Sequence, residues 1–383
     1  MTSKRVIQEV CQRGFTLIEM MIAMTIGLLI IGALMAVIIG AGTSNKANSR
    51  QSELQTNGRY ALDVLKRDVQ NAGYYGLTGR GVTLNPTSPS IPAANDCLLG
   101  FSLNISQRVW GANNGINPFD TATCPELANV QPNTDMLVIR YLSTSPAALA
   151  LADEAPSPLP DCKAATGGLC FRSAYEQGVI FNAGKPPSPP LTFNLPAQDH
   201  LVEIDLYYVN KNTVGADGVP SLRKYTLSST GKMTDELVVS GVENLQVQYG
   251  VDSGLSGNPA GGGAVAAAST QYFDAQDVSA TNPLVFAGKP QTLANAKLDA
   301  VAEAVYSVSI ECKNGVPCAA GGSETVWGNV SAVRLWLLVK NGIPEPAPYT
   351  NSTAYVMGDV NYTPPVGDRF RRQVFTSTIQ LRN

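Results

Sequence analysis

The pattern of apolar and polar positions changes character once. Residues 15–42 are uncharged and mostly apolar apart from Glu19, which is the one ionisable side chain between Phe15 and Asn45. An apolar run longer than about 18 residues suffices for a membrane-spanning helix. At about 1.5 Å per residue this run extends about 42 Å. A hydrocarbon core is about 30 Å thick, so the run spans it with tilt or with a projecting end. Beyond it, Leu54, Ala61, Leu65, Val69 and Ala72 recur at helical intervals, while Arg50, Glu53, Arg59, Lys66 and Arg67 occupy other faces. The pattern predicts one helix over 15–71, apolar all round in its first half and amphipathic in its second. The second half is expected to lie on a sheet. Gly73, Gly76 and Gly79 offer the stop. No proline precedes Pro86, and Gly27, Gly32 and Gly40 are the weak points of the first half, at about 1 kcal/mol each relative to Ala.

The rest of the chain reads in period two. Residues 73–134 hold turn clusters with little periodicity. Residues 135–142 form a predicted strand. Residues 143–198, rich in Ala, Pro and Gly, read as an inserted loop region. A meander follows. Val202, Ile204 and Leu206 share one face of a strand over 201–209, and a hairpin loop over 210–220 carries Gly215 and Asp217-Gly218. Further strands fall at 222–227, 236–240 and 245–251. Residues 252–268 are a Gly/Ala/Ser loop. Tyr306, Val308 and Ile310 alternate in another strand. Val333, Leu335, Leu337 and Val339 alternate with Arg334 and Trp336 in the clearest strand of all. Residues 341–368 are Pro-rich, and 373–381 close the chain as a strand. The expected fold class is α+β: a long N-terminal helix, membrane half plus amphipathic half, packed on an antiparallel sheet with disulfide-closed loops. The expected division is 1–14, a leader; 15–42, a transmembrane helix; 43–72, its amphipathic continuation; and 73–383, a β-rich head with inserted loops.

Charge adds an orientation. Lys4, Arg5 and Arg13 face only Glu9 in the first fourteen residues, and the whole chain carries a net charge of −3. The positive leader stays cytoplasmic, which sends everything after Gly42 to the periplasm or beyond. No basic patch suited to nucleic acid is visible. Cysteine usage agrees with export. Cys11 lies in the leader, and Cys97, Cys124, Cys162, Cys170, Cys312 and Cys318 remain. An even number in an exported chain suggests disulfides. Proximity favours Cys97–Cys124, Cys162–Cys170 and Cys312–Cys318, each worth about 2–4 kcal/mol. The spacings lack the Cys-x-x-Cys or His-bearing patterns of zinc sites.

Catalytic chemistry finds little support. His200, the only histidine, lies beside Asp199 without a Gly-x-Ser-x-Gly nucleophile motif, and reads as an exposed strand-edge residue. Asp217, Asp252, Asp359 and Asp368 lie in or beside loops too poor in carboxylates for a calcium cage, and read as solvated acids. Arg334 and Trp336 read as packed under the long helix rather than as a partner surface. Arg369, Arg371 and Arg372 read as a solvated face. No catalytic residue, cofactor or metal ligand is expected.

The stretch Arg13-Gly14-Phe15-Thr16-Leu17-Ile18-Glu19 resembles the type IV prepilin signal of pilins and of the pseudopilins of type II secretion. The resemblance implies cleavage between Gly14 and Phe15 by the prepilin peptidase and methylation of the new amino group on Phe15. It also implies pairing of Glu19 with the terminal amine of a neighbouring subunit during assembly. The physics agrees: a lone carboxylate in lipid is costly without a cation. An ordinary secretory signal, moreover, is cut after its apolar region rather than before it. Residues 59–74, 241–252, 332–340 and 372–383 resemble successive blocks of the PilW family of minor pilins, whereas 80–130, 143–198 and 275–326 do not. The resemblance implies a minor pilin that joins other minor pilins and the major pilin to prime pilus assembly at the tip. A large tip adhesin is a further implied partner, and adhesion and twitching motility depend on the protein. Such a chain is anchored in the inner membrane with a periplasmic head before assembly, and is extracellular afterwards. Two alternatives stay open: a minor pseudopilin of a type II secretion system, and a membrane-anchored surface adhesin that never enters a fibre.

Overall fold

The computed structural model describes residues 15–77, 97, 105, 108–115, 117–143, 162, 168–174, 178–185, 198–228, 230–252, 270–275, 311–312, 316–317 and 330–381. Helix α1 (Leu17–Asn71) runs for 55 residues. The chain divides into two compact units within this helix, Met1–Ser52 and Glu53–Asn383. In the first unit the helix turns large apolar side chains outward all round, Leu28, Leu29 and Val37 among them. It is long and apolar enough to cross a membrane.

In the second unit the same helix has a buried stripe. Leu54, Ala61, Leu65, Val69 and Ala72 are at most 2 % exposed, while Arg59, Lys66 and Arg67 face outward. Burying a Leu or Val side chain stabilises by about 1.5–3 kcal/mol, so the stripe rather than intrinsic propensity holds this half down. Gly58 lies in direct contact with the Phe375 ring. The helix ends where Gly73 takes φ +78°, a left-handed conformation that costs little without a Cβ. Its N–H donates to Arg140 O at 3.0 Å, and Leu142 N donates to Tyr74 O at 2.9 Å, so the turn after the helix lies along a strand.

That strand belongs to a seven-stranded antiparallel sheet of β1 (Val109–Ala112), β2 (Met136–Leu142), β3 (Leu169–Ser173), β4 (Gly178–Asn182), β5 (Gln198–Asn210), β6 (Ser221–Leu227) and β7 (Met233–Ser240). The spine is β5. It pairs with β3 over its first four residues, with β2 over Val202–Tyr207 and with β6 over Asp205–Asn210. Because β2 and β6 both pair with Asp205, Leu206 and Tyr207, they flank β5 on opposite sides. The sequence reading missed β1 and a 3-10 helix, Pro125–Asn129. It also took 143–198 for inserted loops, whereas β3 and β4 form a hairpin built into the sheet. Both faces of β3 are buried, so no alternation marks it.

A second antiparallel sheet follows the order β15-β12-β8-β9, with β8 (Val242–Asp252), β9 (Thr270–Phe273), β12 (Val330–Lys340) and β15 (Arg372–Gln380). Among the described residues two ribbons complete the strands: β10 (Glu311–Cys312) with β11 (Val316–Pro317), and β13 (Tyr355–Met357) with β14 (Val360–Tyr362). Asp135 joins the two sheets. Its N–H donates to Leu245 O at 2.8 Å. Its carboxylate accepts from Val247 N at 2.8 Å and Asn114 N at 2.9 Å. Burial pushes this carboxyl well above its usual range, against the pull of those two N–H donors.

Val333, Leu335, Leu337 and Val339 of β12 are fully buried. Leu337 stands opposite Phe375 in register, which puts this face toward Gly58 and the helix. Arg334 and Trp336 therefore lie on the other face and do not pack under the helix. The Arg334 guanidinium sits 3.9 Å over the Tyr272 ring, and Trp336 is half-buried near Gly358, between β13 and β14. The chain contains the disulfides Cys97–Cys124 and Cys162–Cys170. Cys318 and the strand expected at Tyr306, Val308 and Ile310 lie outside the described residues.

Candidate functional site

The helix start is built by two residues three apart. The Thr16 backbone N–H and hydroxyl both donate to Glu19 Oε2 at 2.9 Å, and Glu19 N donates back to Thr16 Oγ1 at 3.3 Å. This is a capping box, which satisfies otherwise orphaned N–H groups at the helix end. The Thr-x-x-Glu spacing signals it in the sequence, although the sequence reading assigned Glu19 only an intermolecular partner. The box holds the carboxylate at the first turn beside Phe15, which is 85 % exposed. Gly14 and the leader lie outside the described residues. Beyond Glu19 no other ionisable side chain occurs before Asn45. The helix therefore presents a single fixed negative charge at the tip of a long apolar stem, the arrangement that a free amine at the chain start of a neighbouring copy would neutralise.

Two family models match the chain. The prokaryotic N-terminal methylation motif matches residues 11–35, and type IV pilus-assembly protein W matches residues 206–383. Nearly half of the chain thus matches the PilW family. The PilW match covers the end of β5 and every strand from β6 to β15, while the motif covers the capping box and the first turns of the stem. No curated protein and no solved structure matches the chain. The protein is a type IV pilus minor pilin with an apolar N-terminal helix fit for membrane anchoring, and PilW is a structural family rather than an enzyme family.

The residues weighed for other chemistry have structural partners. His200 is buried, not exposed. Its Nδ1 lies 2.9 Å from Ser143 O, so Nδ1 carries the proton and donates. Asp199 is bound by Arg172 at 2.8 and 3.0 Å. As neighbours in β5, Asp199 and His200 point to opposite faces, so they cannot act as a pair. Asp217 accepts from the N–H groups of Thr213, Val214 and Val219, which hold its carboxyl below the usual range. Asp359 binds the side-chain amides of Asn113 and Asn114, and Asp368 binds Arg372. Asp252 closes β8, opposite Thr270. The Arg372 side chain is buried rather than solvated, and pairs with Glu243 as well. Arg371 pairs with Glu345 at 3.1 Å.

One polar seam escaped the sequence reading. Asp68, inside the apolar stripe of α1, is 9 % exposed and accepts a hydrogen bond from the Tyr207 hydroxyl. Nearby, Asp205 binds Lys224 Nζ at 3.2 Å and the Tyr141 hydroxyl at 3.1 Å. Glu203 is pushed up to about 7 by burial and by the charge of Asp205. Burial likewise raises Asp68, against the Tyr207 hydrogen bond. Through the Asp68–Tyr207 bond the seam ties the helix to β5. A charge placed between Leu65 and Val69 was its one visible signal.

Proposed function

We propose that this PilW-family minor pilin joins other minor pilins and the major pilin to prime type IV pilus assembly, and that it sits at the fibre tip. The observation that carries the proposal is the capped Glu19 at the start of an all-round apolar stem. The prepilin peptidase cuts between Gly14 and Phe15, and Phe15 is then N-methylated. Its new amine and a Glu19 carboxylate pair between subunits as the stems bundle, an association driven by apolar burial. In this scheme 1–14 is the removed leader, 15–42 the membrane and assembly segment, 43–72 the amphipathic continuation and 73–383 the periplasmic head. A head carrying two sheets and their ribbons suits a fibre end better than a helical array in which each subunit meets the same neighbours. At the tip it supports display of a large adhesin, and with it adhesion and twitching motility.

The test is deletion of the gene and complementation with wild type or Glu19→Ala, scoring surface pili and secreted enzymes. The proposal expects wild type to restore pili and Glu19→Ala to leave them at the deletion level, with secretion unaffected throughout. Loss of secreted enzymes with normal pili would assign the chain to type II secretion. Full function of Glu19→Ala would leave an anchored adhesin instead.

A further inference from the structure

The turn that ends the long helix rests on the only histidine of the chain. Ser173 of β3 ties that turn down, its hydroxyl donating to Tyr75 O at 2.9 Å and accepting from Leu77 N at 2.5 Å. The Tyr74 ring meets the His200 ring edge-on, with centroids 6.1 Å apart. Gly76, at φ +67°, approaches so closely that a Cβ there would stand 2.7 Å from both His200 Nε2 and Ser173 Oγ. On its far side the ring is fixed by Nδ1 donating to Ser143 O at 2.9 Å. With Nδ1 protonated, Nε2 carries the lone pair of a neutral ring. That nitrogen is buried and has no hydrogen-bond partner among the described residues.

We propose that His200 is an acid-sensitive latch: protonation at Nε2 releases the turn over 73–77 from the sheet and loosens the junction between helix and head. A neutral Nε2 is tolerated against Gly76, because it brings no proton into the contact. A protonated one brings a buried N–H and a positive charge with no acceptor among the described residues, which is costly. The surroundings offer little relief. From β3 the ring is faced by Phe171 and Ser173, from the end of β2 by the Ser143 carbonyl, and from the turn by Tyr74 and Gly76. Asp199, its neighbour in β5, attracts the protonated form, but burial outweighs that attraction and holds the imidazole below its usual 6.5. Asp199 is also held in the ion pair with Arg172 on the opposite face.

The sign follows. The folded ring gives up its proton at a lower pH than the unfolded one. The neutral-ring contact is therefore intact above 6.5 and is lost as the pH falls below it. Glu203, pushed up to about 7, acts in the opposite direction and destabilises as pH rises, so the two are distinguishable.

The experiment uses the full untagged chain in detergent, where one histidine gives one set of ring resonances. The titration of that ring by NMR is compared with hydrogen–deuterium exchange of 73–77, corrected for intrinsic rates, from pH 8 to pH 4 in about half-unit steps. The expected result is a midpoint below 6.5, protection of 73–77 falling as the pH drops from 6.5 to that midpoint, and no such acid-side fall in His200→Gln. A midpoint at or above 6.5, or exchange that does not follow the ring titration, would overturn the proposal without need of the variant. So would His200→Gln that keeps the fall in protection on the acid side.

Discussion

The two halves of α1 are continuous in backbone and opposite in environment. Up to Gly42 the helix is apolar around its whole circumference beyond Glu19, and its side chains face outward, as with Leu29 at 74 % exposed. After Glu53 it shows one apolar stripe, and that stripe is buried by its own chain. The second half is satisfied within the molecule. The first half needs a lipid or a bundle of like helices, because about 25 cal/mol per Å² of exposed apolar surface is otherwise forfeited. The capping box at Thr16 and Glu19 satisfies backbone groups but leaves the carboxylate charge unneutralised. The stem is therefore the part of the molecule built for something outside it.

Substitutions test the comparison directly. Leu65→Ala in the buried stripe is expected to destabilise the head by about 2–5 kcal/mol. Leu34→Ala, in the outward-facing half, is expected to leave the unfolding midpoint of the head unchanged. Equal effects in denaturant titration would mean that the halves are not independent. Glycines give a second pair. Gly58→Ala drives a methyl into the Phe375 ring and is expected to cost about 1–3 kcal/mol. Gly32→Ala meets nothing within 4 Å and is expected to gain about 1 kcal/mol of helix propensity, read as higher helicity by circular dichroism in detergent.

The smallest effect sharpens the polar seam under the second half. The folded carboxyl of Glu203 is raised above its ordinary 4.5 to about 7. Its favourable contribution is thus complete below 4.5 and is lost as pH rises through about 7. Glu203→Gln is expected to stabilise the head by about 1 kcal/mol at pH 8, after allowance for screening, and to be neutral at pH 4. Thermal melts at the two pH values check this, and a variant less stable at pH 8 would contradict it.

How much was legible in the sequence follows the same division. The stripe of Leu54, Ala61, Leu65, Val69 and Ala72 was visible because one face is buried and the others are wet. The alternation of β12 was visible, but not which face meets the helix, because both faces are covered, one by the helix and the other by Tyr272 and Gly358. The hairpin of β3 and β4 was invisible because β3 is buried on both faces and lies among Ala, Pro and Gly. The burial of His200 depends on a turn more than a hundred positions earlier. The burial of Arg372 depends on Glu243, far back in the chain, as well as on nearby Asp368. At the functional end the motif was legible because its chemistry is local: Thr16 and Glu19 are three residues apart.

The central claim is that this stem is processed and enters a fibre. Its most direct test is the mass of the N-terminal peptide of protein recovered from sheared pili and from membranes. A chain beginning at N-methylated Phe15 and present in the sheared fraction is the predicted result. A chain that retains residues 1–14 and occurs only in membranes would contradict the account.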